Sequence, residues 1–233
     1  MKNNYSALLK NSHTTNNYQQ SAHIEIDKRI AHHQAGRAAA IYLGNKQKQL
    51  PAVYFHIIFK QKERSGQQTN RFLRSHGNYT AKIEGGHLIQ SLPFSFAEAT
   101  RNFTWSQREE YRCAFEADIM NLLTGSLAEA KFMASRDDEV FNTNLANLSA
   151  LRLYGGSSDV NVVTEYLECL MPHKAKRDQK LIELFLEAFS FINESSIWHA
   201  ISALAAFIRD EPKDMITCED VISFLDSRFV ETT

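Results

Sequence analysis

A histidine and an arginine lie one helical turn apart in the first strongly patterned segment of the chain. His33 and Arg37 belong to a stripe, shared with three isoleucines, that repeats every three or four residues over residues 24–43. Because each residue of an α-helix turns the chain by about 100°, this spacing predicts a helix with the stripe on its buried face. An unpaired buried guanidinium is strongly destabilising, so Arg37 should have an acidic partner in the core.

A carboxylate on a second helix also faces the predicted core. The S-x-x-E pattern at Ser106–Glu109 predicts a capped helix over residues 106–135, and Glu129 lies on its buried stripe. Glu129 is therefore a candidate partner for Arg37, or a hydrogen-bond acceptor between two helices.

The run His33-Gln34-Ala35-Gly36-Arg37 has the spacing of the zinc-binding motif H-E-x-x-H. In that motif the two histidines bind Zn²⁺ from one helix face, and the glutamate serves as the general base for the attacking water. Here Gln34 stands at the position of the base and Arg37 at the position of the second histidine.

Three segments, in the same order and with similar spacing, resemble the peptidase domain of the FtsH-type ATP-dependent zinc proteases. The run IAHHQAGRAAAIYL, residues 30–43, is similar to the first catalytic helix of that family. LTGSLAE, residues 123–129, is similar to its L-A-G-R-x-A-E segment, and GGSSDV, residues 155–160, to the segment that supplies the third zinc ligand. The resemblance covers residues 24–229 and implies a mainly α (α+β) fold with a small β-sheet or hairpin beside the first helix.

The departures from the family pattern argue against catalysis. The resemblance matches His33 and Asp159 to the first and third zinc ligands, but arginine stays protonated and cannot ligate a cation. Glutamine cannot take a proton from water. We therefore expect a degenerate site with no catalytic residue and no metal, in which Arg37 pairs with Asp159 and Glu129 is the second candidate partner.

Three functions from different classes remain open. The first is a pseudopeptidase that acts as a binding or regulatory module for an unidentified protein or peptide partner, without a cofactor. The second is a metallopeptidase-like hydrolase that retains zinc by recruiting ligands such as His32 or Glu129. The third is an unrelated helical interaction protein. No phosphate-binding G-x-x-x-x-G-K-[ST] motif occurs, so the family's ATPase module is missing from this sequence.

Composition limits the partners and the surroundings. The 233 residues include 26 Lys+Arg and 27 Asp+Glu, without the basic cluster that nucleic acid binding requires. The longest strongly apolar stretch, residues 198–208, is far shorter than the roughly 20 residues of a membrane span. The N-terminus lacks the pattern of a secretory signal, so we expect a cytoplasmic protein. The oligomeric state stays open.

The remaining pattern predicts the order of elements. Residues 1–21 should form a disordered polar tail and residues 22–233 a single domain. We expect a strand over 52–60, a polar loop over 61–78 and a hairpin over 79–89. Helices are expected over 141–153, 178–193 and 196–209. Two more should begin at caps, one after Ser157-Ser158 with Asp159 in its first turn, and one after the capping pair Thr217 and Asp220. Five other histidines show no metal-ligand spacing and are expected to be structural or exposed: His56, His76, His87, His173 and His199.

Overall fold

Helices make up most of the structure. The computed structural model describes residues 26–61, 79–143, 151, 157–210 and 214–230. Its helices are α1 (Lys28–Ala39), α2 (Asn45–Gln47), α3 (Phe96–Ala99), α4 (Trp105–Arg136), α5 (Ser157–Leu170), α6 (Lys174–Asn193), α7 (Ser195–Asp210) and α8 (Cys218–Val230), with a π-helical turn over Ala40–Gly44. Its strands are β1 (Phe55–Gln61), β2 (Tyr79–Gly85) and β3 (Met215–Thr217). The predicted fold class, mainly α with a small sheet beside the first helix, is confirmed.

Helix α1 begins four residues later than the prediction. Asp27 caps it by accepting a hydrogen bond from the backbone N–H of Arg29 at 2.9 Å. The preceding Ile26 forms a parallel bridge with Tyr79, so it extends the sheet instead of starting the helix. Helical periodicity alone did not show whether Ile26 belongs to the helix or to the sheet.

Small residues let α1 cross α4 closely. A Cβ atom added to Gly36 would overlap the Cβ of Ala128 and would lie 3.0 Å from the carbonyl oxygen of Thr124. On the facing helix, a Cβ atom added to Gly125 would lie 3.1 Å from the carbonyl oxygen of His33. The glycines therefore set the distance between the helices and leave room for the His33 ring.

The start of α4 corrects the predicted cap. The capping box is formed by Thr104 and Gln107: the Gln107 N–H donates to Thr104 Oγ1 at 3.3 Å, and Gln107 Oε1 accepts from the Thr104 N–H at 2.9 Å. Ser106 instead donates to Glu110 at 3.0 Å from within the helix. Both patterns have the S/T-x-x-E/Q form, and the earlier one begins the helix. The predicted stripe is buried as far as Glu129.

The sheet has the order β2-β1-β3, and β1 pairs with both neighbouring strands in antiparallel fashion. Ile57 on β1 pairs with Ile83 on β2 and with Ile216 on β3, and all three are buried. Sequence analysis missed β3, which is three residues long and lies far from β1 in the chain. The predicted second arm of the 79–89 hairpin is not a strand, because Gly85 and Gly86 have φ of 80° and 75° and turn the chain away.

Most of the later helices agree with the predictions to within a few residues. Helix α5 carries Asp159 in its first turn, and α8 is capped as predicted, with the Asp220 N–H donating to Thr217 Oγ1 at 3.2 Å. Residues 141–143 are not helical, and most of the helix predicted over 141–153 lies outside the described residues. So do the predicted tail, residues 1–21, and nearly all of the predicted 61–78 loop. Within the part of the chain that is described, no helix combines the length and hydropathy needed to cross a bilayer.

Candidate functional site

His33 is held between two carboxylates where α1, α4 and α5 meet. Its Nε2 atom lies 2.9 Å from Asp159 Oδ2, and its Nδ1 atom lies 3.2 Å from Glu129 Oε2. The three side chains are nearly buried, and Ser126 on α4 donates a further hydrogen bond to Asp159 Oδ2 at 3.2 Å. The structure thus brings together three residues that sequence analysis singled out, although they come from separate elements.

The two carboxylates favour the charged form of the imidazole. Burial by itself would lower the pKa of His33, but the hydrogen bonds and charges of Asp159 and Glu129 raise that pKa to about 9. Burial would conversely raise the pKa of Asp159, yet its contact with His33, the charge of Arg37 and the bond from Ser126 hold that pKa below its usual value. At neutral pH both ring nitrogens therefore act as donors in an ion-paired cluster.

Arg29 is a member of the cluster that sequence analysis missed. Its Nε and Nη2 atoms donate to Glu129 Oε1 at 3.0 and 2.7 Å. Arg29, His33 and Arg37 are each four residues apart, so they share one face of α1. This spacing could have indicated Arg29, but the predicted stripe included its apolar neighbour Ile30 instead. In the structure, Glu129 pairs with Arg29 and His33 and not with Arg37.

Arg37 does not form the predicted ion pair with Asp159. In the described part of the chain its hydrogen-bonding contact is between Nη2 and His87 Nε2 at 3.2 Å, and its buried Nε atom has no partner. Burial lowers the pKa of Arg37, and the more distant charges of Asp159 and Asp118 act in the opposite direction. Instead, Asp159 presents its Oδ2 atom to His33 Nε2 at 2.9 Å, and Arg37 lies beyond ion-pairing distance of Asp159.

His87 is therefore part of the site, although its sequence context gave no indication of this. Burial and the nearby Arg37 charge lower the pKa of His87, which favours a neutral ring that accepts from the guanidinium. The loop that carries His87 is fixed by Asp118, whose two carboxylate oxygens accept from the N–H groups of Leu88 and Ile89 at 2.9 Å each. The sequence contained no signal for this anchor, because Asp118 lies on helix α4, 30 and 29 residues along the chain from the two N–H groups that it binds.

Gln34 has a structural contact at the edge of the sheet. Its Oε1 atom accepts a hydrogen bond from the backbone N–H of Ile83 on β2 at 3.0 Å. Because β2 is an edge strand, this N–H would otherwise lack a partner in a buried setting. The residue that stands at the general-base position of the motif is thus used to join α1 to the sheet.

His32 belongs to a different environment from His33. Its ring stacks on Phe132 with centroids 4.0 Å apart, and its Nδ1 atom lies 2.7 Å from the carbonyl oxygen of Lys28. Burial is the main cause of its lowered pKa. These contacts hold His32 away from the cluster around His33, so the structure does not present it as a recruited metal ligand.

A cavity of about 360 Å³ opens beside the His33 cluster, between α1, β1, β2, α4 and α5. Besides His33 and Gln34, its wall contains the charged residues of the site and two lysines from the sheet. These charged residues are Arg29, Arg37, Lys60, Lys82, Glu129 and Asp159. The volume is in the range of pockets that bind small ligands.

The residues of this site do not fit a zinc ion. A catalytic zinc needs three protein ligands, and a histidine ligand must present a neutral nitrogen. Both nitrogens of His33 instead contact carboxylates, and Arg37 adds a fixed positive charge. Across the described residues, no group of three or more His, Cys, Asp or Glu side chains is arranged to hold a metal ion.

Known proteins give no direct indication of the function of this site. The similarity to FtsH-type peptidases rests on the three sequence segments alone and stays a prediction. Since one fold can support many functions, the function has to be argued from the side chains themselves. No protein-family model, curated protein or solved structure matches this chain.

Proposed function

We propose that this chain is a non-catalytic, peptidase-like binding or regulatory module that recognises a protein or peptide partner and does not cleave it. The observation that carries this proposal is the contact of both His33 ring nitrogens with carboxylates, Nε2 with Asp159 and Nδ1 with Glu129. An imidazolium in this position supplies the positive charge that two buried carboxylates require.

The neighbouring residues support the same proposal. A hydrolase of this type needs a base that activates water, and the amide of Gln34 has no such basicity. Its oxygen already accepts from the Ile83 N–H. Arg37 offers only donors. These side chains can hold a ligand by hydrogen bonds and charge, but they provide no group that removes a proton from water.

Zinc content and peptidase activity test the non-catalytic part of the proposal. Tag-free protein, purified with zinc in the medium, is expected to contain far less than one zinc per chain and to leave labelled casein intact. The positive control is the double variant Gln34→Glu/Arg37→His, which supplies a base and a second histidine and should raise zinc affinity. About one zinc per wild-type chain, with chelator-sensitive cleavage that is lost in His33→Ala, would support the altered hydrolase instead.

Peptide selection tests the binding part. Wild-type protein is expected to enrich sequences from a library of random peptides, whereas the variant Lys82→Glu, altered at the cavity, should enrich fewer. The matched control is Lys176→Glu on α6, an exposed lysine outside the cavity wall. Enrichment that is equal for all three proteins, or absent from all three, would contradict peptide recognition at this cavity.

A further inference from the structure

Arg37 retains unused hydrogen-bonding capacity at the cavity. The residue is only 9% exposed, its Nε atom makes no hydrogen bond, and its Nη2 atom contacts the neutral acceptor His87 Nε2. A guanidinium carries five N–H donors, and leaving a buried charged donor unpaired is more costly than leaving a neutral one. Among the described residues, no anionic group is hydrogen-bonded to Arg37.

The carboxylates in the cavity wall do not supply that acceptor. Glu129 is engaged by Arg29 and His33, while Asp159 is engaged by His33 and Ser126. Both oxygens of Glu129 and the Oδ2 atom of Asp159 are thus directed to other donors, and Asp159 acts on Arg37 only through longer-range attraction. Within the described part of the chain, no carboxylate therefore forms an ion pair with the guanidinium of Arg37.

The rest of the cavity wall adds positive charge. Its lining contains four Lys or Arg side chains and two carboxylates, which leaves an excess of two positive charges before His33 is counted. The Nζ atom of Lys60 lies 3.7 Å from Glu84 Oε1, whereas no ion pair of Lys82 is found among the described residues. Ser158 places the N-terminal end of α5 at the same wall, and this end of a helix attracts anions.

From this arrangement we propose that the cavity binds the carboxylate group of a ligand, with Arg37 as the main contact and Lys82 at the rim. A planar guanidinium can donate two parallel hydrogen bonds to a carboxylate. This inference rests on the proposed binding function and names the chemical group that the module recognises.

A carboxylate can be carried by a small organic acid or by the C-terminus of a peptide, and calorimetric titration of the full chain distinguishes them. The probes are propionate, acetyl-trialanine with a free carboxylate, the same peptide as its C-terminal amide, and inorganic phosphate. The amide should bind at least about tenfold more weakly than the free acid, since it loses a charge-assisted hydrogen bond. Binding of propionate as tight as that of the peptide acid assigns the site to small organic acids, and preference for the peptide acid assigns it to C-termini.

Variants of the two cations locate the binding. Arg37→Met should weaken binding of the acid at least about tenfold, after circular dichroism has established that it folds. The exposed variant Lys82→Gln, which leaves the core untouched, should weaken it about two- to fivefold, and the control Lys176→Gln should not change it. Equal affinity for acid and amide, tighter binding of phosphate, no binding of either carboxylate, or wild-type affinity in both cavity variants would overturn the proposal. None of these results depends on zinc content or casein cleavage, so they are separable from a failure of the proposed function.

Discussion

Asp159→Asn should destabilise the fold in a pH-dependent way. The substitution keeps the size of the side chain and one acceptor oxygen but removes the charge that lies 2.9 Å from His33 Nε2. His33 then retains one carboxylate, Glu129, which it shares with Arg29. We therefore expect the pKa of His33 to fall and the free energy of unfolding to decrease while the ring is charged.

The magnitude follows from the raised pKa of His33. A pKa near 9 in the folded state, against 6.5 for an unperturbed histidine, corresponds to about 3 kcal/mol of stabilisation. Asp159 contributes more of this than Glu129 does. Asp159→Asn should thus cost about 2 kcal/mol, somewhat below the typical cost of breaking a fully buried ion pair because an acceptor oxygen remains.

The sign of the pH dependence makes the test specific. Because the folded-state pKa of His33 is raised, its contribution is fully present below about pH 6.5 and is lost as the pH rises through about 9. Urea denaturation of wild type and variant should show the full difference in unfolding free energy near pH 6 and a much smaller one near pH 10. The control Asp210→Asn, an exposed position at the end of α7, should behave as wild type at both pH values. An equal loss at both pH values would show that His33 is not held as an imidazolium.

Two further substitutions test the contacts that position the site, each by urea denaturation. Gly36→Ala should lower the free energy of unfolding by about 1–3 kcal/mol, because the new Cβ overlaps Ala128. In the control Gly44→Ala, the new Cβ would lie 3.9 Å from its nearest neighbour, so this variant should be neutral or stabilise the fold by up to about 1 kcal/mol. Equal effects at the two glycines would contradict the close crossing of the helices. Gln34→Leu should lower the free energy of unfolding by about 1–3 kcal/mol, because it leaves the Ile83 N–H without an acceptor. Gln34→Glu keeps an acceptor and should cost less. A larger loss in Gln34→Glu than in Gln34→Leu would refute this contact.

Local pattern was sufficient where a residue's neighbours in sequence are also its neighbours in space. The spacing of His33 and Arg37 predicted a shared, buried helix face, and Asp159 was correctly placed in the first turn of a helix. Helical periodicity and capping arise within one or two turns of chain, so a single sequence carries them directly. Two overlapping S/T-x-x-E/Q patterns, Thr104–Gln107 and Ser106–Glu109, lie at the start of α4, and for that reason the start of this helix was predicted two residues late.

The choice of partners was decided by the tertiary structure. Sequence alone indicated that Arg37 and two carboxylates are buried, but not that His33 would contact both carboxylates and that Arg29 would take up the second oxygen of Glu129. Ion pairing depends on distances of a few ångströms between separate helices, and one competing donor is enough to redirect it. The sequence by itself therefore determined that His33, Arg37, Glu129 and Asp159 are buried. The packing of α1 against α4 and α5 determined which of them are paired and that Arg37 is left at the cavity wall.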